Sequence, residues 1–307
     1  MYDTYMSAPI LVTGAGGNIG RPVVAGLLAV GADVRAAVPP GQPMPPVPHT
    51  AAGDTGASSS SGTAADFETV DFDFTDSTTW AAAFTGVDTM FLLRPPQLSK
   101  VERDLVPALT SARAAGVRHV VFLSLQGADH NRFVPHAKVE QWLVNSGMDW
   151  TFVRPSFFME NLSTTHASDI RDRDEICVPA GSGATAFVAA DDVAAVAVAA
   201  LLDPAAHRNR AWTPTGPAAL TYDQVAADLS AVLGRPIRYT HPGALRYAWH
   251  AARTLDMPLP MVAVTTAIYS VARFGRADGL TEDVRTVTGR PPQDFTTWAA
   301  AHTEAWR

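Results

Sequence analysis

The chain carries one cysteine in 307 residues, Cys177. No internal disulfide can form, and a cysteine-based metal site lacks its ligands. A reducing compartment follows, so the expected location is cytoplasmic. Lysine is nearly as scarce: Lys100 and Lys138 stand against 21 arginines. Positive charge is in deficit overall, with a formal net charge of −7 and no basic run. That excludes an electrostatic footprint for nucleic acid. No apolar run approaches the roughly 20 residues of a membrane span. The best candidate, MVAVTTAIYSVA (261–272), is short and contains Thr and Ser. The first residues, MYDTYMSAPILVTG, carry Asp3 and no basic segment, unlike a signal peptide. HExxH, a nucleophile elbow and clustered metal ligands are all missing, which removes support for a hydrolase or a metal centre.

What is present is an alternation of short apolar runs and helical patterns. ILVTG (10–14), DVRAAV (33–38), FETVDF (67–72), DTMFLL (88–93), RHVVFLS (118–124) and DWTFVRP (149–155) read as strands. Between them, 18–31, 78–86, 101–116 and 135–147 have apolar residues at helical spacing, all four closing on glycine. This rhythm predicts an α/β fold with a doubly wound parallel Rossmann sheet over residues 1–155. After Pro155 the rhythm breaks into short strands and helices. Residues 156–307 are therefore expected to form a smaller mixed α/β substrate region, with about 185–203 packing back on the sheet. The stretch PPGQPMPPVPHTAAGDTGASSSSGTAA (39–65) has six prolines and a serine run, and reads as a flexible insertion.

TGAGGNIG (13–20) places glycines 14, 17 and 20 between a strand and a helix. Gly14 can make the tight turn, Gly17 can admit a pyrophosphate, and Gly20 can let helix and strand approach. The uncapped helix start then offers N–H groups to phosphate. Gly14, Gly16, Gly17, Asn18, Ile19 and Gly20 are the candidate cofactor turn. At the adenosine end, Arg35, Asp73 and Phe74 are candidates. The second strand runs into Val38–Pro39–Pro40 and supplies neither the acid expected for NAD nor the arginine expected for NADP, so the choice stays open. Ligands of open α/β sheets bind at the carboxyl ends of strands. That adds Leu93, Arg94, Pro95, Ser124, Pro155 and Phe157 to the cofactor set, and Gln126, Phe157, Phe158 and Asn161 to the substrate set.

TGAGGNIG, FLLRPPQ (91–97), HVVFLSLQGAD (119–129), VPHAKVEQWLVNSGMDWTFVRPSFFMENL (134–162), FVAADDVAAVA (187–197) and LTYDQVAADLSAVLGRPI (220–237) together resemble the NmrA-like group of atypical short-chain dehydrogenase/reductases. The resemblance covers nearly the whole chain outside 39–65. It implies a Rossmann domain, a small C-terminal domain and a cleft between them. Some members are NAD(P)H-dependent reductases of quinones, dyes or phenolic compounds; others bind the nucleotide and act as redox sensors with a protein partner. Relatives in aromatic polyketide pathways reduce a quinone whose hydroquinone then reacts with oxygen, as parts of a monooxygenase system. NADPH-binding members usually carry arginine just after the second strand, where this chain has Pro39.

Short-chain dehydrogenases keep a tyrosine acid four residues before their catalytic lysine. Here VPHAKVE puts Val134 four residues before Lys138. Lys138 is the candidate for holding the nicotinamide ribose and supplying positive charge or a proton, and His136 is the second catalytic candidate. Two residues apart on a helix, they point to different faces. A missing tyrosine fits a readily reduced, conjugated acceptor better than an isolated ketone. The expectation is an NAD(P)H-dependent oxidoreductase of a quinone or related aromatic, using NADP or NAD without metal or flavin. The alternatives are a nucleotide sensor and a carbonyl or ene reductase of phenolic metabolites. No membrane or direct nucleic-acid partner is expected, and either a monomer or a homodimer is compatible with the sequence.

Overall fold

Runs of apolar residues bounded by turns become buried strands, and the amphipathic segments between them become the covering helices. The computed structural model describes residues 8–47 and 67–307. The elements are β1 (Ile10–Thr13), α1 (Gly20–Ala29), β2 (Val34–Val38), β3 (Glu68–Asp71), α2 (Trp80–Phe84), β4 (Thr89–Leu93), α3 (Val101–Asp104), α4 (Val106–Ala115), β5 (His119–Leu123), α5 (Pro135–Ser146) and β6 (Asp149–Val153). They continue with β7 (Phe157–Phe158), α6 (Glu160–Ser163), α7 (Ala167–Arg173), β8 (Glu175–Ile176), β9 (Ala184–Val188), α8 (Ala190–Leu202), α9 (Pro204–His207) and β10 (Arg210–Trp212). The chain ends with β11 (Ala219–Thr221), α10 (Tyr222–Leu233), β12 (Arg238–Tyr239), α11 (Ala244–Arg253), α12 (Leu259–Arg273), α13 (Asp283–Thr288) and α14 (Phe295–Ala301).

The chain divides into two units, residues 1–155 with 193–213, and residues 156–192 with 214–307. In the first, seven strands among the described residues form a parallel sheet in the order β10-β6-β5-β4-β1-β2-β3. Parallel strands covered on both faces need apolar residues on both, which is why β4 and β5 read as unbroken runs. Met90, Leu92, Val120 and Phe122 point to one face, where Phe84 of α2, Leu109 of α4 and Leu143 of α5 cover them. Each such side chain contributes about 1.5–3 kcal/mol on burial. On the other face α1 packs close to α8: a Cβ on Gly26 would lie 2.9 Å from Val198 Cγ2. The segment expected as one helix over 101–116 is broken at Leu105, because Pro107 removes an amide from the ladder.

The second unit holds a three-stranded sheet, β11-β9-β7, and a β12-β8 pair. Its core gathers Tyr222, Tyr239, Tyr247, Tyr269, Trp298 and Trp306. Glu160 Oε1 accepts hydrogen bonds from the Ala190 N–H at the start of α8 (3.0 Å) and from Trp298 Nε1 (3.1 Å). Of the insertion expected over 39–65, residues 39–47 are described and 48–65 lie outside the described residues. Among the described residues, no helix is long and apolar enough to cross a membrane.

Candidate cofactor and active site

The sheet order reverses between β1 and β4, and the two strands pair only at Leu11–Met90 and Val12–Phe91. Beyond that the Thr13 hydroxyl takes over: it donates to the Phe91 carbonyl (3.1 Å) and accepts from the Leu93 N–H (2.9 Å). This reversal is the switch point at which open α/β sheets bind ligands. Gly14 leaves β1 with φ +64°, which favours glycine, and Leu93 packs on it. The Gly17 N–H donates to the Gly14 carbonyl (3.0 Å), closing the turn. A Cβ on Gly20 would sit 2.1 Å from the Gly14 carbonyl oxygen, so no side chain fits there. Helix α1 starts at that point without a side-chain cap from Ile19, and Gly17 and Asn18 are exposed beside it. Free amides, a positive dipole end and backbone laid bare by glycine fit a pyrophosphate. Gly16 meets Pro45, whose Cδ lies 2.9 Å from where a Gly16 Cβ would be.

The adenosine-end candidates have other tasks in the fold. Arg35 sits early in β2, not at its carboxyl end, and its partner across the sheet is Leu11. Its Nε donates to Glu68 (2.7 Å) and its Nη1 to the Thr85 (2.6 Å) and Ala83 (3.1 Å) carbonyls. The side chain therefore closes the carboxyl end of α2, where carbonyls lack helical donors. Phe74 is buried edge-on to Phe72, with centroids 4.7 Å apart, and belongs to the core. Asp73 accepts from both the Thr75 N–H and hydroxyl at 2.7 Å, forming an Asx turn.

The strand ends carry the remaining candidates. Arg94 follows β4. Its Nη1 donates to the Pro95 (2.8 Å) and Leu98 (3.0 Å) carbonyls, while Nε is buried without a partner. Burial lowers its pKa, and no carboxylate pairs with it among the described residues. His136 lies in the first turn of α5, its ring stacked on Phe122 (centroids 6.0 Å). Desolvation, then the nearby Arg94 charge, push its pKa from 6.5 down to about 3, so the imidazole is neutral at ordinary pH. Lys138 is exposed on the same helix and makes no hydrogen bond or ion pair among the described residues. Val134 is the residue that caps α5, in extended backbone (φ −74°, ψ 142°).

Ser124, at the end of β5, is not a free hydroxyl: it donates to Glu140 Oε1 at 2.5 Å. Arg154 grips the same carboxylate with Nε (3.0 Å) and Nη2 (2.7 Å), and reaches Asp129 with Nη1 (2.9 Å). This largely buried network ties β5, α5, β6 and the β5–α5 loop together. Sequence reasoning did not assemble it, because a Glu on a helix and an Arg ending a strand carry no mutual signal in one dimension. The Gln126 N–H donates to the Pro155 carbonyl (2.9 Å), which joins the ends of β5 and β6.

In the second unit, Phe157 and Phe158 form β7 against β9. Phe157 faces Tyr269, with ring centroids 6.1 Å apart, and packs on the aromatic core. Asn161 is partly buried, and its carbonyl accepts from the His166 N–H (3.0 Å). The fold thus places the glycine turn, Leu93, Arg94, Ser124, His136 and Lys138 in one unit, and Phe157, Phe158 and Asn161 in the other. Among the described residues, no group of three or more His, Cys, Asp or Glu is arranged to hold a metal.

Comparison with known proteins agrees with this architecture. The profile of the NmrA-like family matches residues 6–272. The chain is similar to an NAD(P)H azoreductase of Xenophilus azovorans, 37% identical over 241 residues, covering 76% of this chain and 82% of that protein. It is also similar to a (4-alkanoyl-5-oxo-2,5-dihydrofuran-3-yl)methyl phosphate reductase of Streptomyces griseus, 36% identical over 97% of this chain and 99% of that one. Among solved structures, an Escherichia coli NADPH-dependent quinone oxidoreductase complexed with NADPH shares the fold, with TM-score 0.78, 20% identity and coverage of 95% and 99%. The chain belongs to the NmrA-like family and is an NAD(P)H-dependent oxidoreductase.

Proposed function

We propose that this NAD(P)H-dependent oxidoreductase reduces an electron-poor, conjugated aromatic acceptor of the quinone type. The observation that carries the reading is the start of α5. Val134 stands where a tyrosine acid would be, while Lys138 is exposed and unpaired among the described residues. Ser124 is committed to Glu140, and His136 is neutral, so neither supplies a ready acid. Such a site favours an acceptor that takes a hydride without a strongly positioned proton donor. A quinone does so and can take its proton from water. The named relatives support the same class: azo compounds, unsaturated lactones and quinones all present a conjugated, electron-poor π system.

Gly14, Gly17, Asn18 and Gly20, with the first turn of α1, would hold the dinucleotide's pyrophosphate. When bound, the reduced nicotinamide supplies the hydride. Lys138 would bind the nicotinamide ribose and project positive charge toward the developing oxyanion. In a further step outside the protein's own chemistry, an electron-rich hydroquinone product could react with oxygen, as in a monooxygenase-type tailoring system. An ene reductase is the second reading. It is favoured by the relative of nearly equal length, which is named for a dihydrofuran substrate.

Stopped-flow absorbance tests the proposal. The protein is mixed with NADH or NADPH and a panel of quinones, with and without oxygen, beside Lys138→Ala. Quinone-dependent loss of the nicotinamide band, at least tenfold slower in the variant, is the expected result. The two cofactor arms decide the phosphate state. Reduction of an exocyclic or ring C=C without hydroquinone formation would select the second reading. Tight cofactor binding without oxidation on any acceptor would refute both and leave a nucleotide sensor.

A further inference from the structure

NADH and NADPH share the pyrophosphate that fits the glycine turn. The choice between them falls to the residues beside the adenine ribose. In open α/β sheets of this kind those residues follow β2, where an acid accepts from a ribose 2′-hydroxyl or an arginine pairs with a 2′-phosphate. That phosphate brings about two negative charges at pH 7. It is held by charge-assisted bonds from Arg or Lys, or by backbone N–H groups. Both kinds of donor are scarce after β2. From Ala36 to Leu93 the sequence contains no Lys or Arg. Arg35 is the last cation before that stretch, and its guanidinium is spent on Glu68 and on the carbonyls that end α2. Five of the eight residues 39–46 are proline and have no N–H. The Gln42 N–H closes a turn on the Pro39 carbonyl (3.0 Å), with Gly41 at φ +73° as a type II turn requires. Further along, Pro45 lies against Gly16 of the cofactor turn, so the segment is held at both ends.

The neighbouring strand adds charge of the wrong sign for a phosphate. Val38, the last residue of β2, pairs in register with Asp71, the last of β3, so the two share one face of the sheet. Asp71 is exposed, and its carboxylate makes no hydrogen bond or ion pair among the described residues. Asp73 and Asp76 follow within five residues. Each accepts only from a threonine hydroxyl and backbone N–H, and no cation offsets them among the described residues. Arg21 is the rival partner for a 2′-phosphate, since its side chain also makes no hydrogen bond or ion pair among the described residues. It belongs to the first turn of α1, beside the pyrophosphate turn, and not to the end of β2.

We propose that the end of β2 selects NADH over NADPH. Pro39 and Pro40 withhold the donors that a 2′-phosphate needs, while Asp71 repels it and offers an acceptor to a 2′-hydroxyl. The proposal rests on the dinucleotide site described above and not on the acceptor. Nicotinamide fluorescence titration of the full chain with NADH and with NADPH, without any acceptor, tests it. NADH should bind more tightly by on the order of tenfold or more. The ratio should shrink as salt rises, because the penalty is repulsion between charges near the surface. Pro39→Arg should tighten NADPH roughly tenfold and change NADH less than about threefold. Asp71→Asn should narrow the preference, and Arg21→Ala should leave it in place. Far-ultraviolet circular dichroism checks that each variant is folded. Equal affinities, or tighter NADPH, overturn the proposal and leave the dinucleotide site standing. A preference for NADPH that is lost in Arg21→Ala would assign the phosphate to Arg21. A preference for NADH that salt, Asp71→Asn and Pro39→Arg all leave unchanged also overturns the proposal, since the end of β2 would not be its cause. Binding of neither cofactor overturns the dinucleotide site as well.

Discussion

His136 offers a test of the site's electrostatics that can be worked through from the structure. Its ring is largely buried against Phe122 and beside Arg94, and desolvation and that charge bring its pKa to about 3. In the unfolded chain it protonates near 6.5. The folded pKa is depressed, so acid favours the unfolded state. The stability tied to this group is whole above pH 6.5 and is lost as pH falls toward the folded value. Each pH unit in that window removes about 1.4 kcal/mol, so at pH 5 the loss from this one group is about 2 kcal/mol. His136→Phe keeps a flat ring on Phe122 and removes the titration. Urea unfolding of both proteins at pH 7 and pH 5, followed by tryptophan fluorescence, isolates the difference. The wild type should lose about 2 kcal/mol more than the variant between the two conditions. Equal losses would refute the reasoning, since they would mean that the ring protonates in the folded protein. His166 and His119, each pushed to about 4 by burial, add the same sense of acid sensitivity to both proteins and cancel in the comparison. Burial raises Glu160 and opposes them equally in both.

Two further outcomes follow from the same geometry. Gly20→Ala drives a methyl into the Gly14 carbonyl; cofactor affinity, read by nicotinamide fluorescence titration, should fall at least tenfold, about 1.4 kcal/mol, and unchanged binding would separate the turn from the cofactor. Arg154→Met leaves the buried Glu140 carboxylate without its cation, at a cost of about 3–5 kcal/mol. Adding Glu140→Leu should recover most of that loss in thermal unfolding; no recovery would show that Arg154 acts through packing alone.

The parts of the site written in consecutive residues were legible in the sequence. TGAGGNIG announces itself because the turn needs glycines at fixed spacing within a strand–turn–helix unit, and every partner in that geometry is local: Gly14, Gly17 and Gly20 meet one another. The family was legible for a related reason, since its motifs are runs along the chain. Residues judged singly fared differently. Arg35 was read toward a ribose or phosphate, yet the end of α2, some fifty residues away, takes its guanidinium. Phe74 follows β3 as a ligand wall would, yet Phe72 and the core claim it. Ser124 ends β5 in a suitable place, but its hydroxyl is engaged by Glu140.

The sequence by itself determined the α/β class, the parallel order of the first six strands' connections and the place of the glycine turn. Hydrophobic periodicity and backbone freedom are local properties of the chain, and local properties survive in one dimension. The tertiary structure decided what periodicity cannot encode. It recruited Arg210–Trp212, three residues of partly exposed chain, as the seventh strand beside β6. It set the bounds of the segment that returns to the first unit at 193–213, where the sequence suggests about 185–203. It paired Glu140 with Arg154 and buried His136 near Arg94, whose guanidinium meets carbonyls and, among the described residues, no carboxylate. Charge, burial and partnership depend on which distant residues converge, and that is settled only when the chain is packed.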